Sequence, residues 1–295
     1  MKKLLFVLLV ILMSLSFMGC KNDDDTIQIA SKPFSEQYII AEMMVALIED
    51  RLEVDAEHVQ GIMGGTANIH PAMMSGEIDM YPEYTGTAWL TVLKEDPMSD
   101  ADLMFDEVKT AYMDLYDIKW YETYGFNNTY GLAIKEEVAT SRGIATYSDL
   151  AEKGSDLNFA STPEFFERED GYPGLQEVYG MDFDETTEMA ISLKYDAITN
   201  DQVDIITVFL TDARLEGSGL VVLEDDENFF VPYYASTLVR NETLETYQGL
   251  DEVLMLLEGI ISPEEMIAMN YRVDVEGDEP KDVAHDFLVD EGFIE

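Results

Sequence analysis

From Thr26 onward, short apolar runs suited to strands alternate with longer segments whose apolar residues recur at helical spacing, over about 270 residues. A chain patterned this way buries its strands between layers of helices, so it reads as α/β with mostly parallel pairing. The pattern predicts strands at Ile27–Ala30, 54–59 and 78–80, the last running into Tyr81-Pro82-Glu83-Tyr84-Thr85-Gly86-Thr87. Further strands are expected at 130–134, 157–160, 203–209, 220–223 and 236–239, with residues 119–121 extended. Helices are expected from Ser35, with Ile40, Met43, Met44 and Leu47 on its apolar face, and over Thr66–Ser75, closed by Gly76 in a left-handed cap. Others are expected over Ala101–Tyr116, 244–257, 263–270 and 280–291, and Ser262-Pro263-Glu264-Glu265 has the form of a capping box.

Composition narrows the partners. The chain is 47% hydrophobic and 26% charged, which excludes a disordered tail. Its 17 Lys and Arg stand against 61 Asp and Glu, a formal net charge of −44, so it repels phosphate backbones and nucleic-acid binding is excluded. Met1-Lys2-Lys3 is a basic head followed by an apolar or small-residue run at 4–17, too short for a comfortable membrane span and suited to a signal-peptide core. Cys20 is the only cysteine, so neither a disulfide within the chain nor a cysteine metal site is expected. Following Gly19 at the end of that core, Cys20 resembles a bacterial lipobox cysteine, with Phe17 where that motif usually has leucine. The expectation is a signal peptide at 1–19 and a lipid-anchored tether at 20–26, on the outer face of the cytoplasmic membrane.

Catalytic signatures are scarce. His58, His70 and His285 sit in unrelated contexts, and the chain lacks a Walker loop, a G-x-S-x-G elbow and a G-x-G-x-x-G turn. Gly64-Gly65-Thr66 at a helix start suits either an anion or a plain turn, and the acidic stretches 23–25 and 274–279 lack a calcium-loop pattern. The aromatic residues say more. Tyr84 follows a strand and the Pro82 turn, Tyr130 follows Asn127-Asn128-Thr129, Phe209 ends an apolar strand, and Tyr233 follows Pro232. Singly, each suits packing; converging on one cleft, they form a cage for a cation.

Several blocks, in order and spanning the chain after the leader, resemble the substrate-binding lipoproteins of glycine betaine/carnitine/choline ABC importers. They are Ser31-Lys32-Pro33-Phe34-Ser35-Glu36-Gln37, the Tyr-Pro-Glu-Tyr-Thr-Gly-Thr run at 81–87, Gly125-Phe126-Asn127-Asn128-Thr129-Tyr130, residues 162–174 with Glu164-Phe165-Phe166-Glu167-Arg168, residues 222–226, and Tyr271-Arg272-Val273-Asp274. The resemblance implies a type II periplasmic-binding fold: two α/β lobes, a ligand cleft between them and two hinge crossings. Lobe 1 is then 27–127 plus 232–295, and lobe 2 is 128–231. It implies an aromatic cage of Tyr84, Tyr130, Phe209 and Tyr233, with Phe209 where relatives usually carry tyrosine. It also implies carboxylate and polar contacts from Lys32, Thr87 and Arg168, with Asn128 near the cationic group. The implied partners are a quaternary ammonium ligand, an ABC permease and its ATPase, with the chain a monomer that uses no cofactor or metal and does no chemistry. The rival readings are a receptor for another zwitterion such as proline, a secreted α/β hydrolase, and a sensory lipoprotein.

The acidic surface makes one expectation independent of fold. Salt screens self-repulsion, so the thermal unfolding midpoint is expected to rise between low and molar salt; a flat or falling midpoint rejects salt adaptation.

Overall fold

The computed structural model describes residues 26–215 and 217–295; Cys20 and the expected signal peptide lie outside the described residues. Among the described residues ten strands form two five-stranded sheets. The first holds β1 (Ile27–Ala30), β2 (Ala56–Val59), β3 (Met80–Tyr84), β4 (Ile118–Asn127) and β10 (Tyr234–Arg240), in the order β2-β1-β3-β10-β4. The second holds β5 (Tyr130–Lys135), β6 (Asn158–Ser161), β7 (Glu185–Glu188), β8 (Ile205–Phe209) and β9 (Leu220–Val222), in the order β7-β6-β8-β5-β9. The chain leaves the first sheet at Asn127, enters the second at Tyr130, and returns between β9 and β10.

Each lobe has its own core. Helix α1 (Ser35–Leu52) buries Ile39, Ile40, Met43, Met44, Leu47 and Ile48, too broad an apolar surface for a helix with one wet face. It is enclosed by the first sheet and by α7 (Pro280–Asp290). In the second lobe the period-two rule shows directly along β5. Leu132 and Ile134 enter one core with Phe159 and Ile205, while Ala133 enters another with Ile206 and Val208, so the sheet is covered on both faces. Helix α2 (Thr66–Ser75) ends at Gly76, whose φ of 82° gives the left-handed cap its residue type predicts. Ser262 closes a capping box with Glu265 at the start of α6 (Pro263–Tyr271), and α3 (Ala101–Tyr116) has its expected bounds.

Four expectations need correction. Pairing is only half parallel: β1–β2, β1–β3, β6–β7 and β6–β8 are parallel, whereas β10 lies antiparallel to β3 and β4, and β5 to β8 and β9. The antiparallel strands are those next to the crossings; they enter their sheets from the other lobe rather than by a helical crossover, so βαβ geometry does not constrain them. Residues 81–84 are not a loop but the rest of β3, buried throughout at the centre of the first sheet. The expected helix 244–257 is broken at Gly249, whose left-handed φ of 89° cannot continue a helix. Strand β7 went unrecognised because Glu-Thr-Thr-Glu carries no apolar signal; its exposed edge position explains the composition.

The segment after β3 packs tightly on the returning crossing. A Cβ on Gly86 lies 2.7 Å from Val231 Cγ2 and 2.8 Å from both the Pro232 carbonyl and Tyr233 Cε1. Gly86→Ala is therefore expected to destabilise by about 1–3 kcal/mol through overpacking, read as a lowered urea midpoint; an unchanged midpoint contradicts this packing.

Candidate ligand-binding site

The loop leaving β1 brings Lys32 and Phe34 to the junction of the lobes, and α1 starts immediately after it. Lys32 is buried, with Nζ 2.5 Å from Glu83 Oε1 and 4.7 Å from the centre of the Tyr84 ring. Glu83, on the central strand and fully buried, also accepts hydrogen bonds from Thr66, Tyr81 and the Tyr84 backbone N–H. Lys32 thus balances a buried acid and covers one ring face.

On the opposite lobe the short helix Pro163–Glu167, capped by Thr162, buries Phe165 and presents Arg168 at its C-terminal end. The Arg168 guanidinium forks onto the Asp170 carboxylate, reaches Glu164 at 3.2 Å, and approaches Thr87 Oγ1 of the first lobe at 3.5 Å. Asp170 also accepts from the Tyr233 hydroxyl at 2.5 Å. Both candidate carboxylate-binding cations are therefore matched by resident acids, so the cleft offers an incoming ligand little net positive charge.

The rings form one connected set. Tyr130 lies 5.0 Å from Phe209 and 5.5 Å from Tyr233, and Arg168 Cζ lies 6.0 Å from the Tyr130 ring. Tyr84 joins through Phe34, which stacks 6.4 Å from Tyr84 and 5.3 Å from Phe209 across the lobes. The back of Phe209 faces buried Lys194, whose Nζ is 5.4 Å from the ring and donates to the Thr207 carbonyl; burial lowers this ammonium to about 8.

Glu36, in the first turn of α1, is 2% exposed and has no ion-pair partner among the described residues, yet four side chains donate to it. Its carboxylate accepts from Tyr84 Oη (2.6 Å), Asn128 Nδ2 (2.8 Å), Thr211 Oγ1 (2.6 Å) and Asn270 Nδ2 (3.5 Å), linking the first lobe, the crossing and the second lobe. Desolvation raises its pKa to about 7 against the pull of those four donors. Beside it opens a cavity of about 230 Å³, lined by Phe34, Tyr38, Glu36, Tyr195, Thr211 and Asn270 among others. Of the eight expected ligand contacts, only Asn128 and Phe209 line this cavity. Lys32, Tyr84, Thr87, Tyr130, Arg168 and Tyr233 instead lie in the mutually packed set behind it.

One arrangement mimics catalytic machinery. Ser31 Oγ lies 2.6 Å from His58 Nε2, and His58 Nδ1 lies 2.7 Å from Glu42 Oε1. Ser31 is fully buried and its Oγ already accepts the Gly61 N–H, so no substrate carbonyl can reach it. The relay fastens the loop that carries Lys32 and Phe34.

Residues 25–290 match the family described as the substrate binding domain of ABC-type glycine betaine transport systems. The chain belongs to this family. It is 39% identical over 90% of its length to an ergothioneine transport permease/ergothioneine binding protein of Helicobacter pylori, of which it spans 48%. It is 32% identical to a carnitine transport binding protein of Listeria monocytogenes, covering 99% of this chain and 97% of that one. Its fold superimposes on a crystal structure of a glycine betaine/carnitine/choline ABC transporter with a TM-score of 0.72 at 32% identity, covering 91% of this chain and 100% of the other. The chain is thus a two-lobed solute-binding protein and not an enzyme, which removes the hydrolase reading. Its family works outside the cytoplasm, beside the membrane. Sequence reasoning missed Phe34, Glu36, Glu83 and Asp170 although they lie inside or beside the quoted blocks; Thr211 and Asn270 carry no local signal.

Glu36 makes stability depend on pH with a definite sign. Its folded pKa is raised, so the native state holds the proton more tightly than the unfolded chain, and its contribution to stability falls as pH rises from about 4.5 to about 7. The slope from this one group reaches at most about 1.4 kcal/mol per pH unit. Urea unfolding of the wild type and Glu36→Gln across that range is expected to show a shallower decline in the variant; parallel curves contradict the assignment.

Proposed function

We propose that this chain captures a zwitterion carrying a trimethylammonium group between its lobes and delivers it to an ABC permease and its ATPase. The observation that carries this reading is the ring set assembled from both lobes: Phe34, Tyr84 and Tyr233 on one side, Tyr130 and Phe209 on the other. A quaternary ammonium has no N–H to donate, so hydrogen bonds cannot recognise it, whereas aromatic faces attract it by about 0.5–2 kcal/mol per well-placed ring. Matched ion pairs, Lys32 with Glu83 and Arg168 with Asp170, leave the site without the positive excess that would repel such a cation. Arg168 and Lys32 are the groups that meet a ligand carboxylate, with Thr87 beside Arg168 and Asn128 towards the cationic end. Glycine betaine, carnitine and ergothioneine, for which the relatives are named, share the trimethylammonium and the carboxylate. The lobes divide at 127/128 and 231/232, so ligand contacts from both sides favour hinge closure. The mature chain begins at lipid-modified Cys20, tethered through residues 20–26, and acts as a monomer.

Calorimetric titration tests this. Glycine betaine or carnitine is expected to bind, proline to bind more weakly, and Tyr130→Ala to weaken betaine binding about two- to thirty-fold, the range that one ring supplies. Proline binding as tightly as either betaine, with no effect of Tyr130→Ala, overturns the cage.

A further inference from the structure

Arg214 breaks a rule that the other arginines keep. Arg51, Arg142, Arg168, Arg240 and Arg272 each pair with at least one carboxylate. Arg214 has no acid within ion-pair distance among the described residues, in a chain of 61 Asp and Glu. Its hydrogen-bond partners are main-chain oxygens: Nη1 donates to the Ser192 carbonyl at 3.2 Å and Nη2 to the Asp274 carbonyl at 3.1 Å. Its Cζ lies 5.9 Å from the centre of the Tyr195 ring. A guanidinium carries five N–H groups, so three are left without an acceptor among the described residues. Arg214 is half-buried and lines the cavity beside Glu36, within reach of a small molecule there.

Lys32 and Arg168 stand differently. Lys32 bonds to Glu83 and Arg168 forks onto Asp170, so a ligand carboxylate must compete there with a resident one. At Arg214 it competes only with carbonyl oxygens, which carry no net charge and make weaker bonds. The same cavity supplies the other half of a zwitterion site. Phe34 and Phe209, stacked 5.3 Å apart from opposite lobes, both line it. Glu36, Asp212 and Asp274 line it too, and their charges favour an ammonium. These acids are held by protein donors: Asp212 by the Tyr195 hydroxyl and the Phe209 N–H, Asp274 by the Ser35 hydroxyl. The volume, about 230 Å³, is several times the share of one water, about 30 Å³.

We infer that Arg214 is a further carboxylate-binding residue, and the one that makes the site prefer a betaine to a trimethylammonium cation without a carboxylate. The inference rests on the function proposed above and adds a contact to it. The planar fork matches a carboxylate through two parallel charge-assisted bonds. A hydroxyl in the same place accepts one N–H and brings no charge. Without Arg214 the charged lining of the cavity is wholly acidic, which favours the plain cation over the zwitterion.

The test is calorimetric titration of the whole protein at pH 7 with glycine betaine and with choline, which keeps the trimethylammonium and replaces the carboxylate by a hydroxyl. Wild type is expected to bind glycine betaine at least about ten-fold tighter than choline. Arg214→Gln is expected to shrink that ratio about five-fold or more, through weaker betaine binding, with choline changed less than about two-fold. Arg214→Lys, which keeps the charge and loses the fork, is expected to fall between the two. Because the readout is a ratio of affinities on one protein, a general loss of stability in a variant does not mimic it. Equal weakening of both ligands in Arg214→Gln reduces the residue to fastening its turn to the Asp274 carbonyl and overturns the inference. Choline bound as tightly as glycine betaine by the wild type overturns it too, while leaving the ring set standing. Binding of neither ligand overturns the parent reading, and the inference with it.

Discussion

The junction of the two lobes is organised around a carboxylate that has no ion-pair partner among the described residues. Glu36 is withdrawn from water and held by four side-chain donors from the first lobe, the crossing and the second lobe. A buried acid without a counter-ion is tolerable only where donors are numerous and the proton is available near neutrality, and both conditions hold. Its position in the first turn of α1, near the positive end of the helix, helps. The Glu36–Thr211 hydrogen bond and the Phe34–Phe209 stack both join an element beside the first sheet to one beside the second, so the polar hub and the ring stack bridge the same junction.

The other charges at the junction follow the opposite rule. Lys32 and Arg168, two of only 17 basic residues, sit against Glu83 and Asp170 in buried pairs with further donors on each acid. In a chain of net charge −44, a cation left without an acid at this place would be the anomaly. The pairing leaves neither cation in excess of its acid at the junction. The Ser31–His58–Glu42 relay illustrates the same economy of placement: its geometry is that of a catalytic triad, yet burial of Ser31 confines it to holding a loop.

Much of the fold was legible because its signals are local. Apolar spacing marked α1, the Thr66–Ser75 and Ala101–Tyr116 helices, and the buried strands of both sheets; Gly76 and the Ser262 box marked helix ends through their own backbone and side-chain chemistry. Strand β7 was not legible, since an edge strand faces water on one side and needs no apolar residues. The antiparallel half of the pairing was not legible either, because strand direction beside a crossing depends on which lobe the chain comes from.

For the site, the sequence by itself determined the residue types: aromatic residues beside the ends of strands, two basic residues in an acidic chain, and blocks that resemble an importer family. Those are properties of short stretches, and they survive without coordinates. Only the tertiary structure decided which of these groups are already satisfied. Lys32 finds Glu83 across 51 residues, Glu36 finds Thr211 across 175, and Asn128 and Asn270 meet at one carboxylate from distant parts of the chain. Whether a polar atom is paired or left over depends on its neighbours in space, and no spacing along the chain encodes that.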